Sequence, residues 1–337
     1  MRLISPTDIW RIVKDVDVEG IAHAAQRRVP LLVASEDGDD AARFCAWLAY
    51  DAVTDDGGVP EPHPWLTALA AVEGLPALPE APAAAVLVGR EPLPGPGTGA
   101  LRDHLARHGV PLVTVSLEAA HTRSETGRVW IASLDDGASE AVAAALLPLV
   151  PKEDHVALAR AFPRLRVAVS TALVEQTAKA NASYAFTTGL AESVPVLTAP
   201  IAVGDMVILT KNQLLMCYRI VLAHGRDGTP RELLGEIVSV LGSGLLLRQA
   251  ARQLVGLLPV VGLLPKVAVA YAGTWAIGRA MIAWAGEGRE VAASTLKRYT
   301  REGLGRGRVV ARALLDASRS GMSRTSARLR RSREPGA

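Results

Sequence analysis

The stretch VPLLVASEDGDDAARFCAWLAY, residues 29–50, decides how the N-terminal half is read. An apolar run from Val29 to Val33 leads into a short polar loop with Gly38, and an alanine-rich helix follows. A strand that feeds a helix through a tight glycine loop is the opening unit of a nucleotide-binding α/β layer. The loop, however, lacks the groups that hold phosphate. A phosphate-binding loop, GxxxxGK[ST], wraps phosphates in backbone N–H groups, neutralises them with lysine and binds Mg²⁺ through the hydroxyl. With Ala34 at the first glycine position, the second glycine becomes Asp39, the lysine Asp40 and the hydroxyl residue Ala41.

Glu36, Asp37, Asp39 and Asp40 put four carboxylates there instead. Near a helix N-terminus each complements the dipole by roughly 0.3–1 kcal/mol. Each also repels an incoming polyphosphate, by about 1 kcal/mol per charge pair at contact distance in water. The loop is therefore read as a vestigial phosphate loop that caps a helix. A divalent metal held by the same oxygens, serving a metal-dependent hydrolase, is the alternative, although the spacing lacks the alternating ligands and twelfth-position glutamate of a Ca²⁺ loop.

Working outward, residues 5–28 begin at Ser5-Pro6 and place Ile9, Ile12, Val13 and Val16 at helical spacing, which predicts an amphipathic leading helix. Downstream of the loop, Ala84 to Val88, VPLVTVS (110–116) and RVWIAS (128–133) have strand length and turn-forming borders. LRDHLARHG (101–109) and GASEAVAAALLPLV (137–150) alternate with them as helices. Such alternation predicts a largely parallel sheet over residues 1–150. From Pro151 the apolar residues recur at three and four. LRVAVSTALVEQTAKANASYAFTTGLAE (165–192) and GDMVILTKNQLLMCYRIVLAHG (204–225) each predict a long helix, the second stopped by Gly225.

Residues 237–286 are the most apolar part, interrupted by Arg248, Arg252, Lys266 and Arg279 and broken by Pro259 and Pro265. No run of about 18 uncharged apolar residues is free of proline. A packed helical hairpin and an integral hairpin in lipid both stay open. Across the chain the apolar fraction is 49% and the net charge +3, with a mean hydropathy of +0.21. The charge is unevenly spread: residues 1–150 carry 11 basic and 21 acidic side chains, whereas 289–337 carry 13 and 4. A basic tail beside an apolar hairpin suits anionic lipid headgroups. With no aromatic residue after Tyr299 to stack bases, nucleic acid is not expected.

Chemistry is otherwise sparse. Cys45 and Cys217 lie in apolar helical patterns with no CxxC or Cys/His spacing, which predicts small buried hydrophobes. The seven histidines show no metal motif beyond His104 and His108, four apart on one helix face. No nucleophile with a base is evident, and no metal or cofactor is expected. The charged N-terminus lacks a signal-like apolar run, so the chain is expected on the cytoplasmic side.

The C-terminal half, over about residues 160–295, resembles the YcjF-like domain of unknown function, family 697. The residues that carry the likeness are VGDMVILTKNQLLMCYRIVLAHG with TKNQ at 210–213, the Gly/Pro-punctuated apolar stretch, and TWAIGRA at 274–280. That family is found beside or fused to Era-like GTPase domains, and DIWRIVKDVDVEGI, the strand at 29–33 and VWIASL (129–134) are similar to such a partner in outline. The guanine-reading NKxD is absent where SLEAAH (116–121) stands, and GREPLPG replaces a DxxG switch.

The resemblance implies a GTPase-like, P-loop-NTPase-derived α/β domain over 1–150 without GTPase chemistry. It also implies an all-α domain with an apolar hairpin over 151–295, and a basic, partly disordered tail fills 296–337, with one more helix expected at VVARALLDAS (309–318) and disorder in SRSGMSRTSARLRRSREPGA. Lys211, Asn212 and Gln213 are expected to form a polar network between helices or to snorkel at a membrane interface. The chain is then a pseudo-GTPase scaffold, cytoplasmic and membrane-associated. It docks on a membrane or partner protein through 237–286 and the tail, and homo-oligomerisation is compatible with the same surface.

Overall fold

The computed structural model describes residues 13, 15–36, 38–50, 63–70, 81–90, 98–191, 198–242, 263–288 and 291–331; for 136, 190–191, 198–206, 241–242 and 321–331 only the backbone is described. The first half alternates as expected: α1 (Val18–Ala24), β1 (Leu31–Ser35), α2 (Asp39–Ala49), β2 (Leu66–Ala70), β3 (Ala84–Gly89), α3 (Gly99–Arg107), β4 (Leu112–Ser116), β5 (Arg123–Glu125), β6 (Arg128–Trp130) and α4 (Asp136–Leu146). The six strands lie in the order β2-β1-β3-β4-β6-β5. All neighbours are parallel except the edge pair β5 and β6, a hairpin turned at Gly127.

β1 and β3 are buried on both faces, which explains their unbroken apolar runs. Leu32, Ala34, Ala85 and Leu87 meet Leu101 and Leu105 of α3 on one side. On the other, Leu31, Val33, Val86 and Val88 join Phe44, Trp47 and Leu48 of α2 in the main core. That core continues into the helical half without a gap, through Phe162, Leu165 and Val169. His155 seals the passage: its Nε2 lies 2.9 Å from Leu147 O and 3.0 Å from Val150 O, at the end of α4.

Among the described residues after Pro151 only helices occur: α5 (His155–Ala161), α6 (Arg166–Ala191), α7 (Thr198–Ala223), α8 (Pro230–Gly242), α9 (Leu263–Glu287) and α10 (Ala293–Arg331), with short 3₁₀ turns at Lys152–Asp154 and Pro163–Leu165. Gly225, at φ +83°, ends α7 as its sequence predicts. A capping box starts α8, where Thr229 N–H donates to Glu232 Oε2 (2.8 Å) and Glu232 N–H to Thr229 Oγ1 (3.3 Å).

Three expectations need correction. The leading helix is not continuous, because Asp17 accepts from Gly20 N–H (2.7 Å) and so caps a separate α1; residues 1–12 lie outside the described residues. The strand β2 was not anticipated, since Leu66–Ala70 follows a Pro-rich loop and alternates too weakly to show. Pro265 sits in the first turn of α9, where a missing N–H costs nothing. The basic tail holds more helix than the expected 309–318, since up to Arg331 it is the body of α10, a helix of 39 residues. Gly303 and Gly307 explain it: a Cβ on the first would lie 2.9 Å from Ala272 Cα, and on the second 2.7 Å from Ala268 O. These glycines cost helix propensity, about 1 kcal/mol each, and that cost is offset by the close seam they allow with α9. Of the apolar hairpin at 237–286, residues 243–262 lie outside the described residues. No helix among the described residues is long and apolar enough to cross a membrane.

Candidate functional site

In a doubly wound sheet the natural ligand crevice lies beyond the carboxyl ends of the strands, where the strand order reverses. Here that point falls between β1 and β3, beside the loop 34–41. Ala34 and Ser35 end β1, and Gly38 adopts φ +90° just before α2, a left-handed turn that favours glycine. The Ser35 hydroxyl turns back into the loop and accepts from Gly38 N–H (3.0 Å) and Ala41 N–H (3.1 Å). Ser35 is only 1% exposed, so this bond pair lies beneath the surface. Asp39, exposed, and Asp40, half-buried, occupy the first turn of α2. Two of the N–H groups that would cradle a phosphate in a nucleotide loop, those of Gly38 and Ala41, are thus already bonded, and the helix dipole is answered by the chain's own carboxylates. Glu36 is exposed, and Asp37 lies outside the described residues.

The neighbouring loops close in the same manner. After β6, where the resemblance places the Ser-Ala-type loop, Asp135 caps α4 by accepting from Ala138 N–H (3.0 Å), and the Ser133 hydroxyl donates to its other oxygen. The Ser133 bond, then the Ala138 N–H, hold the Asp135 carboxyl below the usual range. After β4, Glu118 takes φ +56° and pairs with Arg90 beyond β3 at 2.9 Å. Left-handed backbone costs a residue with a Cβ about 1–2 kcal/mol. Leu117 N–H to Gly89 O (2.8 Å) and Ala119 N–H to Ile131 O (2.9 Å) fix it on both sides. The rest of GREPLPG, 91–95, lies outside the described residues.

Comparison with protein-family models, curated proteins and solved structures finds no match to this chain.

Among the described residues no three His, Cys, Asp or Glu side chains converge as a metal site would need. His104 and His108 stack at 4.2 Å on α3, and His108 Nδ1 lies 2.9 Å from His104 O. Desolvation, then His108 and Arg107, lower the pKa of His104. Burial pushes both thiols up to about 12, so neither Cys45 nor Cys217 is a nucleophile at neutral pH.

The second constellation lies inside the bundle. Asn212 Nδ2 donates to Asn181 Oδ1 (2.7 Å), and Asn181 Nδ2 to Thr274 Oγ1 (2.9 Å). Gln213 Nε2 donates to the same hydroxyl (3.1 Å), which itself donates to Ala270 O (3.0 Å). A hydroxyl offers one donor and two acceptor sites, so Thr274 is saturated. The network ties α6, α7 and α9 together, with Asn181 and Thr274 fully buried. Lys211, half-buried, makes no hydrogen bond or ion pair among the described residues. Sequence reasoning missed Ser35 and Asn181. The signal for Ser35 is a hydroxyl three residues before a helix-opening glycine; for Asn181 it is an amide on the small, apolar face made by Ala178, Ala182 and Ala185.

Proposed function

We propose that this chain is a non-catalytic scaffold, a pseudo-GTPase in which a GTPase-like α/β layer without nucleotide is joined to a YcjF-like helical bundle that docks on a membrane or partner protein at the cytoplasmic side. The observation that carries this reading is the closed loop after β1, where Ser35 Oγ takes up Gly38 N–H and Ala41 N–H while Asp39 and Asp40 stand in place of the phosphate-neutralising lysine and its neighbour. At this edge Ser35 Oγ takes Ala41 N–H in the first turn of α2 and Asp135 takes Ala138 N–H in that of α4, while α3 opens at Thr98 without a side-chain cap. Descent from a P-loop GTPase carries the smaller share, since β1 here lies between β2 and β3, the order of flavodoxin-type sheets.

Equilibrium dialysis of the whole chain against labelled GTP with Mg²⁺ tests the reading. Retention no greater than for an unrelated acidic protein is expected. Saturable binding at micromolar nucleotide overturns it.

A further inference from the structure

We propose that the solvent face of α10 is a docking ridge for anionic phospholipid, against which the chain lies with none of its described helices crossing the leaflet. Lys297, Arg301, Arg308, Arg312 and Arg319 follow one another at steps of four, seven, four and seven residues. On a helix these steps trace one stripe, about 60° wide and roughly 33 Å long. All five are exposed, and none has an ion pair or hydrogen bond among the described residues. The carboxylates of α10 lie elsewhere: Glu302 faces Arg306 at 3.5 Å, and Asp316 stands at the margin of the stripe. An adjoining side of the helix, with Gly303, Gly307 and Ala311, is buried against the bundle. Packing therefore holds the cations outward along a straight line.

Apolar side chains share the end toward which this ridge runs. Gly307 meets Ala268 near the start of α9, and Gly189 at the end of α6 meets Leu263, so these termini lie together. The end of α7 lies instead toward the sheet half, where Arg160 reaches Leu222 O and Tyr218 reaches Val18 O. The end of the bundle away from the sheet thus exposes Val207 and Ile208 of α7 and Leu264 of α9, and α10 itself exposes Val309 to 67%. Cations beside aliphatic groups suit a surface with anionic headgroups over an apolar interior.

Two other polyanions fit less well. Nucleic acid would meet no exposed aromatic ring on α10, since Tyr299 is buried. The acidic half of a second copy has part of its charge committed, since Asp17 and Asp135 cap helices and Glu118 pairs with Arg90.

The proposal rests on the bundle being the docking half, not on the closed loop. Nucleotide retention in the dialysis above would leave the ridge untouched. The test is co-sedimentation of the whole chain with vesicles of phosphatidylcholine alone, or with one third phosphatidylglycerol. Binding is expected to the anionic vesicles only, and to be lost in about half-molar salt. The triple variant Arg301→Gln, Arg308→Gln, Arg312→Gln, at exposed sites that leave the fold intact, is expected to lower partitioning about a hundredfold. Its control, Arg43→Gln, Arg102→Gln, Lys152→Gln, removes the same charge from exposed positions outside α10 and is expected to stay within about twofold of the parent. Equal binding to neutral vesicles, or equal losses in the two triples, overturns the ridge. So does a failure to bind vesicles accompanied by retention on duplex DNA, or by self-association that the first triple abolishes.

Discussion

The carboxyl edge of the sheet and the outer face of α10 are both crowded with charge, yet they treat it oppositely. At the edge, the cap of α4 is the Asp135 carboxylate, and Glu118 is matched to Arg90. On α10 the five cations of the ridge have no partner among the described residues. The contrast teaches that the number of charges in a region says little about its readiness to bind. What matters is whether the fold has already used them, and the edge has spent what the ridge keeps.

The strongest way to break the contrast is to loosen the seam that holds the ridge outward. In an ordinary helix, replacing Gly303 and Gly307 by alanine stabilises by about 1 kcal/mol each. Here each new Cβ meets the α9 backbone, so the double variant is expected to lose about 4 kcal/mol in urea unfolding. A gain would mean that α10 stands off α9, and the cations would then belong to a loose arm. Next in size is the polar network that positions α9. Asn181→Ala strands the Asn212 amide and removes a donor from Thr274 in a buried place, at a cost of about 2–3 kcal/mol. Asn212→Ala is expected to cost less alone, and little more when added to Asn181→Ala, since the two amides share one bond.

Legibility follows the same division. The buried parallel strands were plain in the sequence because burial on both faces writes itself as unbroken Val, Leu and Ala, and the bundle helices because their period is long and uninterrupted. That the loop 34–41 lacks phosphate-binding residue types was also legible, since Asp39, Asp40 and Ala41 stand at the positions of glycine, lysine and hydroxyl. Its closure was not: a serine at the end of a strand reads as one more small residue until the turn brings Gly38 and Ala41 over it. α10 was legible only over VVARALLDAS (309–318), for a different reason. Arginine, glycine and serine in one segment carry the composition of a disordered tail, and only the Ala268 and Ala272 face of α9 shows why glycines at four-residue spacing support a helix.

Smaller effects sharpen the edge. Ser35→Ala removes the acceptor for two N–H groups at the start of α2, one of them buried, and is expected to cost about 1 kcal/mol. It is also expected to leave nucleotide unbound, because Asp39 and Asp40 remain in the first turn. If GTP binding appeared in this variant alone, the hydroxyl would be the lock, and the carboxylates would be bystanders.

The finest comparison is by titration. The Ser133 hydroxyl, then Ala138 N–H, hold Asp135 below the ordinary carboxylate range; the Thr229 N–H, then its hydroxyl, do the same for Glu232. A carboxylate depressed in the folded state adds stability that is whole above its unfolded pKa and is lost as pH falls through the folded one. The urea midpoint of the parent is therefore expected to fall on acidification below about pH 5. Both groups are solvent-facing, so each share is small and is read as a slope. Asp135→Asn should flatten that slope by its own part and leave the part that belongs to Glu232, and adding Glu232→Gln should remove the second. If Asp135→Asn left the slope unchanged, the α4 cap would be open in solution. The sheet edge would then offer an unused helix N-terminus, and its contrast with the ridge would be lost.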